Sequence, residues 1–437
     1  MKSPKGVALW NKAKKLIPGG NGLLSKRSEM FLPDRWPSYY SRAKGSEVWD
    51  IDGNRYLDFT INGVGACTLG HADPDVDNAV KEAIKAGNMS TLNVPEDVEL
   101  AELLQEIHPW AEMFRYARTG GESMAVAIRI VRAATGKEKI LFCGYHGWHD
   151  WYLSANLADS AALDGQLLPG LDPAGVPRGL IHTAIPFNYD IDSFKQVYNQ
   201  HRGTVAAVVM EPVRSFWPEK GFLEGVRDIT EQDKVPMVFD EVTSCLRMTP
   251  GGIHLRLGVI PDVAVLAKAL GNGYAMAAVM GKSRVMQAAQ NTFISSTFCT
   301  DKIGPAAALA TLKKHRKLDV SSRLIANGDA VQAGWKMLGE KHGLDIHISG
   351  IPPLSHWQIE NRDSQLLHTI IVEKMLDKGF LTSKAYYATY THTENQINAY
   401  LDALDAVLGE LAPFIKANNV AALPHGPVAH SGFKRLT

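Results

Sequence analysis

Only four cysteines occur in 437 residues, Cys67, Cys143, Cys245 and Cys299, and none has a partner at paired spacing. That excludes a disulfide framework and a cysteine-built zinc site, and it predicts reduced, mostly buried thiols. Charge of one sign is also missing. With 46 basic and 46 acidic side chains the formal net charge is zero, so nothing favours nucleic acid or an anionic membrane surface as a partner. No run approaches the ~18 apolar residues of a spanning helix. The opening Met-Lys-Ser-Pro-Lys-Gly leads into a charged amphipathic stretch and not into the apolar region of a signal peptide. No repeat or low-complexity tract is visible, and no Gly-x-Gly-x-x-Gly follows the first strand, which argues against a dinucleotide-binding sheet. A cytoplasmic globular protein is the expectation.

At this length two domains are expected, because one core rarely serves so many residues. A short amphipathic helix is predicted over 7–17, stopped by Pro18-Gly19-Gly20. A polar, turn-rich arm follows, and then a hairpin over 47–59 with Asp52-Gly53-Asn54 as its tight turn. Beyond it, continuous apolar runs at 139–145, 205–210, 235–240 and 263–267 alternate with helical stretches. Runs apolar on both faces indicate strands of a parallel sheet covered on both sides. Further helices are expected over 124–134, 305–317 and 394–412.

Ligands of open parallel sheets bind beyond the carboxyl ends of the strands. Four positions sit at such ends: Tyr145, Glu211, Asp240 and Lys268. A lysine at the end of a buried strand is hard to solvate as a cation, and its neutral amine can attack an aldehyde. An acid beside it can hold a proton on a pyridine nitrogen, and the two together are the protein half of pyridoxal-phosphate chemistry. Taken singly, Lys268 could snorkel to the surface and Asp240 could cap a turn. Arg118-Thr119-Gly120-Gly121-Glu122 precedes a helical stretch and could cradle an oxyanion, or be a plain capped turn. In Tyr145-His146-Gly147-Trp148-His149, Tyr145 or His146 could cover a flat heterocycle. The His146/His149 spacing also suits a metal, but no third and fourth ligand lie nearby, so no metal is expected.

Together these residues resemble the fold-type I pyridoxal-phosphate enzymes, and within them the class III aminotransferases of the glutamate-1-semialdehyde aminomutase branch. The similarity runs through Ile17-Pro18-Gly19-Gly20, Trp49-Asp50-Ile51-Asp52-Gly53, Leu69-Gly70-His71, Thr119-Gly120-Gly121-Glu122, Tyr145-His146-Gly147, Glu211-Pro212-Val213, Phe239-Asp240-Glu241-Val242, Ala267-Lys268-Ala269-Leu270-Gly271 and His392-Thr393-Glu394. It implies an α/β fold: a large domain with a mostly parallel, seven-stranded-type sheet, plus a smaller α+β domain. The implied limits are an arm and hairpin over 1–60 packing with the small domain, a cofactor domain over 61–305 and a small domain over 306–437.

The resemblance further implies that Lys268 forms the Schiff base with pyridoxal 5′-phosphate and that Asp240 pairs with the ring nitrogen. Val242 would pack on one ring face and Tyr145 on the other, with His146 and Glu211 also at the cofactor. Gly120 and Gly121 would hold the phosphate, helped by Thr297 from a neighbouring subunit, which makes the expected assembly a homodimer with shared sites. An amino-acid donor would then pass its amino group to an aldehyde or ketone acceptor. The alternatives are the aminomutase itself, or a decarboxylase or epimerase on the same residues.

The family's Ser-Gly-Thr cradle is Thr-Gly-Gly here. The glutamate that aminomutases carry eight residues before the late His-Thr is Lys384, a cation that would repel an amine and suit an acidic substrate. Lys26, Arg27 and Arg214 are candidates for gripping a carboxylate, or are solvated at the surface. Trp148, Trp151, Phe216 and Trp217 form an aromatic wall or ordinary core.

Overall fold

The computed structural model describes residues 2–166, 169–213, 216–433 and 436. Fourteen strands are present among them. β1 (Tyr40–Lys44), β2 (Glu47–Asp50) and β3 (Arg55–Phe59) come first. β4 (Met113–Ala117), β5 (Lys139–Cys143), β6 (Ala184–Pro186), β7 (Val205–Met210), β8 (Met237–Asp240), β9 (Val263–Leu266) and β10 (Ala277–Gly281) follow. β11 (Ile346–Ser349), β12 (Leu354–Ile359), β13 (Phe380–Thr382) and β14 (Ala385–Tyr387) close the series. The chain divides into two compact units, one of Pro74–Ser321 and one of Met1–Asp73 with Ser322–Thr437. The limits expected from sequence, 60 and 305, precede these. The segment after β3 stays with the first unit because Gly45 and His71 exchange backbone bonds and Tyr390 N–H donates to Thr68 O at 2.7 Å. The helix Ile303–Lys317 stays with the second because it packs on the helices Pro74–Ala86 and Glu96–Ile107.

In the Pro74–Ser321 unit seven strands form one sheet in the order β4-β10-β9-β8-β7-β5-β6. All neighbours are parallel except β10, which runs against both β4 and β9. Alternate side chains enter two cores. Ile140, Phe142, Val209, Val238, Val263 and Val265 face the helix Gly120–Thr135 through Met124, Ala127, Ile128 and Val131. Leu141, Cys143, Val208, Met210, Met237, Phe239, Ala264 and Leu266 face Phe194, Tyr198, Phe222, Leu223 and Val226 of the helices Ile191–His201 and Phe222–Gln232. Each Val, Leu, Ile, Phe or Met side chain among them contributes roughly 1.5–3 kcal/mol by leaving water. Covering both faces is why these strands read as unbroken apolar runs.

β4 and β10 escape the pattern. β4 is half-buried, with Arg115 in its middle, and β10 is built largely of alanine and glycine.

Register levels the strand ends: Cys143 lies opposite Met210, Met210 opposite Phe239, and Asp240 opposite Val265. The residues following them emerge on one rim.

In the other unit β1, β2, β3 and β13 form one sheet and β11, β12 and β14 a second. The predicted hairpin is β2–β3, with Glu47 opposite Leu57. Its turn is fixed by Asp50, whose Oδ1 accepts from Asp52 and Asn54 N–H, and by Gly53 at φ 91°. Phe59 stacks on Tyr400 at 4.3 Å between centroids, which joins β3 to the helix Glu394–Lys416. The N-terminal helix spans Pro4–Leu16, with Pro4 in its first turn, where a missing N–H costs nothing. No helix among the described residues is long and apolar enough to cross a membrane.

Candidate active site

Lys268 follows β9 directly. Its φ is +43°, in the left-handed region where a side chain costs roughly 1–2 kcal/mol. The turn Lys268–Gly271 is held there by Ala269 and Leu270, both fully buried. The lysine's Nζ donates to Thr243 Oγ1 at 2.7 Å. Thr243 is itself buried and lies beyond the end of β8.

Asp240 is the last residue of β8 and is 3% exposed. Its Oδ1 accepts from Val242 N–H at 3.0 Å, and its Oδ2 lies 2.8 Å from His146 Nδ1. His146 is 1% exposed, stacked near Trp151 and met edge-on by Phe142 and Tyr152. Its Nε2 is 3.1 Å from Cys143 O. A carbonyl can only accept, so Nε2 carries a proton, and one further proton is shared between Nδ1 and the carboxylate. His146 therefore braces Asp240 from behind.

Glu241 points the opposite way, as strand alternation dictates. It accepts from the N–H groups of Ile253 and His254 and pairs with His254 Nδ1. That network anchors the segment on which Asp240 and Thr243 sit.

The helix predicted from Met124 begins at Gly120, because Thr119 and Glu122 form a capping box. Thr119 Oγ1 accepts from Glu122 N–H at 3.3 Å, Thr119 O accepts from Ser123 N–H at 2.9 Å, and Glu122 Oε2 accepts from Arg118 N–H at 2.8 Å. Of the N–H groups a helix start leaves open, only those of Gly120 and Gly121 then lack an acceptor among the described residues.

Neither glycine could carry a side chain. A Cβ on Gly120 would lie 2.8 Å from Val242 Cγ1, and one on Gly121 2.9 Å from His149 Nδ1. That Nδ1 is buried without a hydrogen-bond partner, and burial lowers the His149 pKa. The loop bearing Tyr145 docks here through glycine: Gly147, at φ 99°, leaves a Cβ position 3.1 Å from Gly121 Cα. Tyr145 N–H donates to Glu211 Oε2 at 2.9 Å, and the Tyr145 ring meets Tyr152 edge-on.

Lys268, Asp240, Tyr145, His146, Glu211, Val242, Gly120 and Gly121 thus share the carboxyl-end rim of one sheet. The arrangement offers an amine, a braced acid and an anion nest charged by a helix start. Thr297 lies on the short turn Thr297–Thr300 and is exposed, like Phe293 and Phe298 beside it. Trp148 is 70% exposed and packs on His149, Phe216 and Trp217 are exposed, and Trp151 is core. Arg27 and Lys384 belong to the other unit. Arg27 lies against Gly19 with its guanidinium over Phe433, and Lys26 is exposed. Lys384 donates to Gln365 Oε1 at 2.8 Å. Arg214 lies outside the described residues. Thr243 and the unpaired nitrogen of His149 were missed; the only signal for Thr243 was its place three residues beyond a strand-end acid. No group of three or more His, Cys, Asp or Glu among the described residues is placed to hold a metal.

The family model for class III aminotransferases matches residues 33–408. The chain belongs to that family. The class III aminotransferases depend on pyridoxal phosphate and pass an amino group from a donor to a carbonyl acceptor. This class III aminotransferase is 30% identical to the 3-aminobutyryl-CoA aminotransferase of Cloacimonas acidaminovorans, over 94% of this chain and 98% of that one. It is 28% identical to the glutamate-1-semialdehyde 2,1-aminomutase of Methanocaldococcus jannaschii, over 93% and 98%. Among solved structures it is similar to an omega-transaminase from Sphaerobacter thermophilus, at 26% identity and TM-score 0.81 over 93% and 98% of the chains.

Proposed function

We propose that this aminotransferase works by a two-substrate exchange at the rim, with Lys268 as the attaching amine and proton carrier and Asp240 as the acid facing the ring nitrogen. The observation that carries this is the pairing of Lys268 Nζ with Thr243, on the turn just beyond β8, close in sequence to the Asp240–His146 couple. The residues fit pyridoxal phosphate. Two unmatched N–H groups and the unpaired His149 Nδ1 suit its phosphate, while Val242 and Tyr145 suit the two ring faces. When bound, the cofactor supplies an electrophilic carbonyl carbon and an electron-accepting ring. Thr243 aims the lysine amine, Asp240 holds a proton at the ring nitrogen, and His146 with Val242 N–H keeps that carboxylate in place. Gly120 and Gly121 bind rather than react.

An exchange with an external donor fits better than a mutation within one substrate, because the aminomutase glutamate is Lys384 in this chain. A homodimer fits the exposed Thr297, Phe293 and Phe298, together with the exposed Ile84, Met89 and Leu92.

The test is amine accounting by mass spectrometry. A donor amino acid should give its oxo acid in one half-reaction and an aminated acceptor in the second. Production of 5-aminolevulinate from glutamate semialdehyde with no donor present would instead establish the aminomutase. Release of carbon dioxide, or racemised product, would establish a decarboxylase or an epimerase. Gly120→Ala should weaken cofactor binding by about 10- to 100-fold, because a Cβ 2.8 Å from Val242 Cγ1 shifts the Gly120 N–H off a phosphate oxygen, read by titrating the apoenzyme. Unchanged affinity would remove Gly120 from the site.

A further inference from the structure

The turn that carries Thr243 runs on through Ser244, Cys245 and Leu246 to Arg247, a side chain that is hard to bury. Arg247 is 1% exposed, a permanent charge taken out of water where an apolar side chain would fill the space at lower cost. Its Nε–H donates to Thr243 O at 3.1 Å. The backbone is bent to allow this contact. Cys245 N–H donates to Glu241 O at 3.0 Å, and Leu246 N–H donates to Gly251 O at 2.8 Å. Leu246 is fully buried and takes a φ of +56°, a left-handed conformation that a leucine keeps only where its surroundings fix it.

Two contacts join this turn to the strand-end lysine. Lys268 Nζ donates to Thr243 Oγ1 at 2.7 Å, and the Cys245 thiol donates to Ala267 O, the carbonyl just before Lys268, at 3.4 Å. Burial pushes the pKa of that thiol up to about 12, so it stays protonated and able to donate. The Cys245 contact fixes where the lysine's backbone lies; the Thr243 contact fixes where its amine points. The second is only as firm as Thr243 itself. A threonine side chain is stiff at χ1, so the direction of its Oγ1 follows the direction of its backbone. Arg247 holds that backbone by its carbonyl.

We propose that Arg247 is a positioning residue for the amine of Lys268 and acts through Thr243: its guanidinium fixes the Thr243 carbonyl, and the threonine hydroxyl so fixed aims the amine at the carbon it attacks. The inference rests on the role given to Lys268 above. Arginine suits the task because its planar guanidinium donates from Nε in a set direction, whereas an ammonium on a flexible stem does not. Attack geometry is sensitive to a displacement of about 1 Å, so a contact two steps removed from the chemistry reaches the rate.

The test is a double-mutant cycle on the rate at which apoenzyme captures added pyridoxal phosphate, read by borohydride quenching at timed intervals and mass spectrometry of the peptide containing residue 268. Thr243→Val keeps the shape, loses the hydroxyl and should slow capture about 10-fold, the worth of one aimed hydrogen bond; Arg247→Met should slow it by a similar factor. The double variant should be no slower than Thr243→Val, because the arginine then has no hydroxyl to aim. Capture by either single variant at the wild-type rate overturns the proposal. So do losses that multiply to about 100-fold in the double variant, which is what two independent structural defects would give. If Arg247→Met does not fold, Arg247→Lys, which keeps the buried charge and loses the Nε–H, replaces it in the same cycle. A wild type with no pyridoxyl group on residue 268 would instead bring down the assignment of Lys268, and this inference with it.

Discussion

Lys268→Ala should lose at least about a thousandfold in kcat, which is what a lost proton carrier alone costs, before any loss of covalent attachment. The prediction rests on there being one amine at the right place. Lys268 reaches the rim because the chain turns through the left-handed region directly after β9, and Thr243 at 2.7 Å sets the direction of its Nζ. Lys268→Arg should be equally inactive. A guanidinium fills similar space but stays protonated, so it can neither attack nor accept a proton. Alanine keeps the turn at a similar backbone cost, so the variant should fold and melt near the wild type. That separates lost chemistry from lost structure. Added small alkylamines should restore part of the rate in Lys268→Ala and none in Lys268→Arg, because only the former leaves room for an amine. Borohydride reduction followed by peptide mapping should place the pyridoxyl group on residue 268 of the wild type. If Lys268→Ala keeps a tenth of the activity, the assignment of this residue is wrong.

The elements legible in the sequence are those whose pattern is set by burial on both faces. β5, β7, β8 and β9 were readable because every residue of β7, β8 and β9 is buried, so no polar side chain interrupts the run. Lys268 and Asp240 stood out for the complementary reason: each is the first charge after such a run. β4 and β10 were not legible, since Arg115 breaks one and small residues blur the other. The start of the helix at Gly120 was masked by glycine's poor helix propensity, about 1 kcal/mol per residue, which the Thr119–Glu122 capping box offsets.

Contacts between distant residues were out of reach altogether. His146 and Asp240 are 94 positions apart, and only register and the Gly144–Gly147 loop bring them together. Lys384 shows the same limit from the other side. Spacing from His392 located the residue, but not its hydrogen bond to Gln365 or the cavity it lines.

Asp240→Asn should cut kcat by about 10²- to 10⁴-fold while leaving cofactor bound. Asparagine is the informative substitution because it preserves shape. Its amide oxygen can still accept from Val242 N–H, and its amide nitrogen can donate to a neutral His146 Nδ1, so both contacts that now hold the carboxylate survive in altered form. What disappears is the negative charge proposed to keep a proton on the facing ring nitrogen, and with it the ring's capacity to accept electrons. In the proposed site attachment rests on Lys268 and the Gly120–Gly121 nest, neither of which changes, so cofactor stoichiometry should remain that of the wild type. Asp240→Ala is a harsher experiment. It leaves His146 buried beside an empty volume with its Nδ1 unpartnered, and an unsatisfied buried polar group costs about 1–3 kcal/mol. Its activity loss would therefore mix chemistry with destabilisation. His146→Phe is the third arm: Asp240 keeps its carboxylate and loses its brace, so the rate should fall less than in Asp240→Asn. Measuring kcat, bound cofactor and melting temperature on all three variants separates charge from position. An Asp240→Asn enzyme within about threefold of wild type would show that the ring needs no facing anion.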